Sequence, residues 1–203
     1  MRKTLDRLIS WTGLIVAAVL LVAGGLMTYA SSFIGDQVQQ QLVQQDITMP
    51  AAAAIAKMAP ADKAALEPWA DGQTKMTTGE QAKAFADHYI LVHMNAASDN
   101  RTYEQVSGEF MTLTKDANAD QAKVAELGQL RQTLFMGNTL RGLLLNAYAF
   151  GTMGAVAGIA AVVAYVGAGL ILVLSILGLR HAKRATDTAT AVPAARDEAL
   201  ALS

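Results

Sequence analysis

The side chains able to do chemistry here are few: three histidines, 17 carboxylates and no cysteine in 203 residues. His88 and His93 stand five residues apart in GEQAKAFADHYILVH. On a helix that spacing turns them about 140° from each other. They therefore do not share a face, as the i, i+4 histidines of a zinc protease must to hold one metal. Asp87 adjoins His88 but points elsewhere on the same helix. His93 falls on an apolar stripe and is expected to be a hydrogen-bonded core histidine. His88 is expected to be partly exposed and held by a contact within its own domain. His181 lies beyond a long apolar stretch from the other two, and if that stretch crosses a membrane it cannot join them in one site.

Glu104 and Glu109 offer a second pair of acid–base groups. They are five apart on a short predicted helix, where solvated surface is the ordinary fate of a carboxylate. The chain contains no G-x-S-x-G, no Walker loop, no G-x-G-x-x-G and no H-E-x-x-H. Without cysteine, a disulfide framework, a thiolate zinc site and a thiol nucleophile are all excluded. Asn100-Arg101-Thr102 fits a glycosylation sequon, a three-residue match that depends on the organism. We therefore expect no enzyme: no catalytic residue, no cofactor and no metal.

The elements that would position these groups follow from where charge is missing. Sixteen basic residues balance 17 acidic ones, which leaves no basic footprint for nucleic acid. Charged residues make up 16% of the chain, against 53% hydrophobic, and a soluble domain carries about 25% charged. No charge occurs anywhere between Arg7 and Asp36, or between Arg141 and Arg180. About 20 apolar residues cross the hydrocarbon core of a bilayer. Residues 8–30, with the run LIVAAVLLVAGGLM, are a predicted transmembrane helix, with Trp11 and Tyr29 as aromatic anchors at its two interfaces. Residues 151–179 are the second, and Arg180, Lys183 and Arg184 anchor its far end. Arg2, Lys3 and Arg7 precede the first span, and the stretch just after it holds no Lys or Arg. The positive-inside rule then puts both termini in the cytoplasm and residues 31–150 largely outside the plasma membrane. A cleaved signal peptide over residues 1–30 is the rival reading. Its apolar run is about 20 residues long, where a signal core has 7–15.

Between the spans every pattern is helical. Ile34, Val38 and Leu42 recur every fourth residue in SSFIGDQVQQQLVQQ, so the first span is expected to continue as a Gln-rich stalk until Met49-Pro50 stops it. Pro50, Pro60 and Pro68 break residues 50–78 into short turns, with Trp69 docked on its own domain. Thr78 opens a helix whose inner face is Ala82, Phe85, Ala86, Tyr89, Ile90, His93 and Ala97. Asp99-Asn100 ends it. Thr102-x-x-Gln105 has the spacing of a capping box and opens another, with Val106, Phe110 and Met111 turned inward. Leu127, Leu130 and Leu134 mark a last helix that runs without proline into the second span. The expected fold is all-α: two transmembrane helices continuing as stalks into an extracytoplasmic helical bundle. Residues 1–7 form a short cytoplasmic N-tail, and residues 180–203 a polar tail that frays.

Small residues dominate the spans. Gly154-x-x-x-Gly158, preceded by Gly151 and followed by Ala161, Ala164 and Ala168, lets helix backbones approach closely. Gly24-Gly25 offers a facing notch. The pattern fits either packing of the two spans on each other or docking onto another membrane protein or a second copy. Neither span holds an ionisable residue, which argues against a proton relay or ion pathway. The cytoplasmic tails are too short for the output domain a sensor requires.

Residues 79–93 and TLFMGNTLRGLLLNAYAF (133–150), with the Gly/Ala-rich span after them, resemble a group of small actinobacterial two-span membrane proteins. The similarity extends from the Gln-rich stalk to Arg184. It implies two spans with an outer helical segment, and its motifs concern packing rather than a reaction. Some such sequences carry the label of aromatic ring-opening dioxygenase. Non-haem iron oxygenases need converging ligands such as two His and one carboxylate with open positions, which His88 and His93 on one helix do not supply. The chain reads as an accessory or scaffold subunit in the lipid bilayer. The alternative is an outer module that captures a lipid or small apolar molecule beside Phe85, Tyr89 and Phe110.

Overall fold

A computed structural model describes the backbone of residues 2–201 and the side chains of residues 4–183. Arg2, Lys3 and Arg184 therefore have side chains outside the described residues. The described backbone is all-α. Helix α1 is Arg2–Gln44 and α2 is Ala52–Ile55; α3 is Pro60–Leu66, followed by a 3₁₀ turn at Glu67–Trp69. Helix α4 is Gly79–Phe85, joined through a π-turn, Ala86–Ile90, to α5, Leu91–Ser98. Helix α6 is Tyr103–Leu113 and α7 is Gln121–Ala201. Among the described residues there is no strand, only isolated antiparallel bridges of Thr48 with Lys75 and Ala51 with Asp71. The segment beyond Arg180, expected to fray, continues α7 to Ala201.

The chain divides into two compact units: Met1–Ser32 with Ala155–Ser203, and Phe33–Gly154. Both α1 and α7 contain stretches long and apolar enough to cross a membrane. In the first unit they pack antiparallel. Ser10, Ala17 and Gly24 are buried at every seventh residue of α1, and Ala161, Ala168 and Ser175 at every seventh of α7. Leu8, Ile15, Val19, Val22, Leu26, Val162, Val166, Leu170 and Val173 lie exposed around them. Small residues are inside and large apolar ones outside, the reverse of a water-soluble core.

The second unit has the ordinary order. Its largest fully buried side chains include Leu42, Met49, Ile55, Leu66, Met76, Leu134 and Leu144. One cluster gathers Val38, Leu42 and Leu144 of the two long helices around Ile55, Leu66 and Ala82. Trp69 packs against this cluster, as expected. The other joins Met94, Val106, Leu127 and Leu134. Helix α1 ends at Gln44, before Pro50, because the chain turns back at Asp46 in the left-handed region (φ 50°). Residues 47–49 then pair with 74–76 through Met49 N–H to Thr74 and Met76 N–H to Ile47.

Both caps read from the sequence are present. Thr78 accepts from the Gln81 N–H while the Gln81 side chain accepts from the Thr78 N–H, and Thr102 and Gln105 do the same for α6. The inner face expected for α4–α5 is correct only at its start. Ala82 and Ala86 are buried, but beyond the π-turn the buried positions are Met94 and Ser98 rather than His93 and Ala97. A π-turn adds one residue to the helix, so the inward register moves one place along. Phe110 is half-buried and Met111 exposed, with Val106 carrying the α6 contact.

Candidate functional site

The π-turn ADHYI makes polar contacts with three other parts of the second unit: α3, α4 and α7. Asp87 accepts from Lys83 Nζ at 2.8 Å and from Arg141 Nη2 at 3.0 Å. Arg141 Nε donates to the Ala86 carbonyl at 3.0 Å, an oxygen that also takes the Leu91 N–H across the π-turn. One guanidinium thus ties α7 to the irregular turn by both a side-chain and a backbone acceptor. Burial alone would raise the Asp87 carboxyl, but hydrogen bonds and charge from Lys83 and Arg141 outweigh it and hold the group below its ordinary value. The Lys83 ammonium is raised, chiefly by its hydrogen bond to Asp87.

His88 turns the other way and meets Asp62 of α3, Nδ1 to Oδ1 at 2.8 Å. It is half-buried, as expected. His93, expected in the core, is exposed; the register shift at the π-turn moves it outward. Its Nδ1 lies 2.7 Å from the Tyr89 carbonyl. Phe85, Tyr89 and His93 stack in a column with ring centroids 4.8 and 4.4 Å apart. The structure therefore gives the two histidines different partners and does not bring them together. Among the described residues no three His, Asp or Glu side chains are grouped to hold a metal ion. Glu109 pairs with Arg101 at 2.8 Å, and Glu104 is exposed. Those contacts are structural.

Two apolar grooves share one face of α7. The first, about 510 Å³, lies between the aromatic column and Thr133, Met136, Gly137 and Leu140. The second, about 480 Å³, has Leu143, Asn146, Ala147 and Phe150 on one wall and Phe33, Ile34, Gln37 and Gln41 of α1 on the other. Both are open clefts, and no charged residue lines either. Phe110, expected beside a cavity, instead covers Gly128 and lies 5.3 Å from the Arg131 guanidinium.

Several small residues of the spans are packed within the chain. A Cβ at Gly24 would lie 2.7 Å from the Tyr165 ring, and one at Gly158 would lie 3.0 Å from Ser31 Oγ. Gly13 abuts Ser175, and Gly178 abuts Ser10. Tyr165 also bonds Thr28 through their hydroxyls at 3.1 Å. Gly25 has nothing within 4 Å, so the notch is made by Gly24 alone. In the second unit Gly151 lies against Gly79, at 3.7 Å from its Cα to an added Cβ, and Gly154 is buried. Trp11, Tyr29, Arg180 and Lys183 are all exposed.

The chain matches no protein-family model, no curated protein and no solved structure.

Sequence reasoning missed Arg141, Lys83 and Asp62 as partners of the π-turn. A signal for Arg141 was present. It is the single charge between Arg131 and Arg180, and a lone charge in an apolar helix needs a partner.

Proposed function

We propose that the chain is an integral membrane protein that crosses the bilayer twice, with both termini cytoplasmic and residues 31–150 largely outside. It serves as a non-enzymatic accessory or scaffold subunit that contacts another membrane protein or a second copy. The observation that carries the membrane reading is the inside-out span pair, in which Ala17, Ala161 and Ala168 are the buried apolar residues and Leu, Ile and Val cover the outside. Lipid tails are as apolar as leucine, so burying large side chains between spans brings no solvent gain, whereas small residues allow close approach. The resemblance to actinobacterial two-span proteins supports the same architecture. With the small-residue seam used within the chain, contact with a partner falls to the exposed apolar face of α7 in the second unit.

Asn100→Cys tests the topology in a chain without native cysteine. A membrane-impermeant maleimide should label it in intact cells, and labelling only after lysis overturns the arrangement. Gentle extraction with native mass analysis tests the accessory role, which a strictly monomeric species without companion protein would refute.

The grooves favour a second reading, an outer module for an acyl chain or other uncharged amphiphile. A lipid retained in native mass spectra, and lost on Leu140→Gln with Leu143→Gln, is the result it requires.

A further inference from the structure

Within the first unit, α1 and α7 enclose a cleft of about 560 Å³ whose outermost residues along the two helices are Asp6 and His181. Ser10 and Ser175 lie deeper in it, and Leu174 and Leu177 line its apolar side. The two serines are 4% and 5% exposed, the buried polar residues of this unit. Each hydroxyl stands against a glycine of the facing helix, Ser10 on Gly178 and Ser175 on Gly13. No side chain or carbonyl among the described residues bonds either hydroxyl, and a buried hydroxyl without a partner costs free energy. Asp6 is half-buried. It is the sole carboxylate among the described side chains of this unit, and no described cation is paired with it. A carboxylate and an imidazole at the entrance, two unmet hydroxyls inside and an aliphatic wall make an amphiphilic site.

We infer that this cleft seats the head of a phospholipid that carries a primary ammonium. The inference rests on the two-span reading, which sets this end of the helix pair at the cytoplasmic face of the bilayer. Lys and Arg are the usual charges there, Arg7, Arg180 and Lys183 among them, and they suit lipid phosphates. A carboxylate in that row repels phosphate and attracts an ammonium. Asp6, with Arg7 next to it and His181 at the same entrance, thus matches a head in which ammonium and phosphate stand side by side. Ser10 lies four residues along α1 from Asp6, about 6 Å, and Ser175 six residues back along α7 from His181, about 9 Å. At that depth a glycerolipid presents ester carbonyls, which accept the hydrogen bonds that serine hydroxyls donate. Its acyl chain continues along Leu174 and Leu177. A trimethylated head has no N–H for the carboxylate, and a glycerol head brings negative charge alone.

Native mass spectrometry of the full chain in detergent tests this, with equal amounts of phosphatidylethanolamine, phosphatidylcholine and phosphatidylglycerol of identical acyl chains added. Phosphatidylethanolamine should be retained about tenfold over either other lipid, the effect of one charge-assisted hydrogen bond. Asp6→Asn should bring the three lipids within about twofold of one another. Ser10→Ala with Ser175→Ala should lower retained phosphatidylethanolamine about fivefold, with helical circular dichroism kept in every variant. Leu140→Gln with Leu143→Gln, in the grooves of the second unit, should leave retention unchanged. Equal retention of the three lipids, a preference that survives Asp6→Asn, or loss of lipid on the two leucine changes overturns the inference. Labelling of Asn100→Cys separates it from the reading beneath it. Label in intact cells without a lipid preference overturns the inference alone, and label only after lysis overturns both.

Discussion

The Asp87–Arg141 pair fixes how α4–α5 is held on α7, and its removal should be measurable. Arg141→Met keeps most of the stem but deletes the 3.0 Å bond to Asp87 and the 3.0 Å bond to the Ala86 carbonyl. Hydrogen bonds involving a charged group contribute about 1.5–3 kcal/mol each. The two side chains are 20% and 23% exposed, so the low end of that range applies. The expected cost is roughly 2–3 kcal/mol, the second bond being partly replaced by water. Asp87→Asn removes the charge that faces both Arg141 and Lys83. Lys83 is 39% exposed and contributes at most about 0.5 kcal/mol as a surface pair, so this change should cost about 2 kcal/mol. Because both variants delete the same ion pair, the double variant should cost about 3 kcal/mol, a coupling near 1.5 kcal/mol.

Amide hydrogen exchange over residues 82–98 of the full chain in nanodiscs reads these energies locally. The pH dependence has a definite sign. The Asp87 carboxyl is lowered in the folded state, so its contribution is complete above the unfolded value near 3.8 and is lost as pH falls through the folded one. Wild type and Asp87→Asn should therefore converge in acid and differ fully at neutral pH. Additive single variants, or costs below about 0.5 kcal/mol each, would refute the claim that this pair anchors the π-turn.

Three further outcomes follow. Gly24→Leu should weaken the span pair by about 1–3 kcal/mol, since even a Cβ there meets the Tyr165 ring, and Gly25→Leu should be silent; denaturing-detergent titration of both variants checks this. Gly79→Ala places a Cβ 2.9 Å from the Tyr148 Cα and 3.0 Å from the Ala147 carbonyl. Backbone cannot swing aside as a side chain can, so the midpoint of thermal unfolding should fall by several degrees. Asp71 is held at about 2 by hydrogen bonds from the Thr74 and Gln73 N–H groups and the Thr74 hydroxyl. The turn at residues 71–76 is thus supported above the ordinary carboxyl range and released as pH falls toward that value, which carboxyl chemical shifts through an acid titration will show.

Local signals were the legible ones. Thr78 and Thr102 announce their helices because a capping box is complete within four residues, and the αL residues Asp99 and Asn100 stop α5 where the sequence marks a break. The long apolar helices were visible because each contains an unbroken uncharged run. What failed depends on one non-local event. Nothing in ADHYI by itself demands a π-turn; Arg141, far along the chain on another helix, bonds the Ala86 carbonyl within it. Counting at 3.6 residues per turn therefore assigned His93 and Ala97 to positions that Met94 and Ser98 occupy. The end of α1 was misjudged for a similar reason. Pro50 is a strong local stop, but pairing of residues 47–49 with 74–76 requires the chain to leave the helix by Gln44.

The small and large residues of α7 can be read as a record of its surroundings. At 161, 168 and 175 the seventh-residue positions are small and buried. A different series, three places along the heptad, is large, apolar and exposed at 136, 143 and 150. In the second unit several large residues are buried as in a water-soluble core, Leu134 and Leu144 on α7 itself among them. Met136, Leu143 and Phe150 thus resemble the exposed apolar residues of the first unit by type while standing, by chain position, before the uncharged stretch of α7 that is apolar enough to cross a membrane. A water-facing helix gains solubility from charge on that surface. From Gln132 to Ala149 the one charged residue is Arg141, and its side chain turns inward onto Asp87. Chance exposure of single apolar residues is common, but Met136, Leu140, Leu143 and Phe150, in helical register with uncharged flanks, are not scattered. A contiguous stripe is the kind of surface at which proteins make contacts, so under the proposed accessory role the face of α7 at 136–150, rather than the glycine-rich span, is the place to test for one.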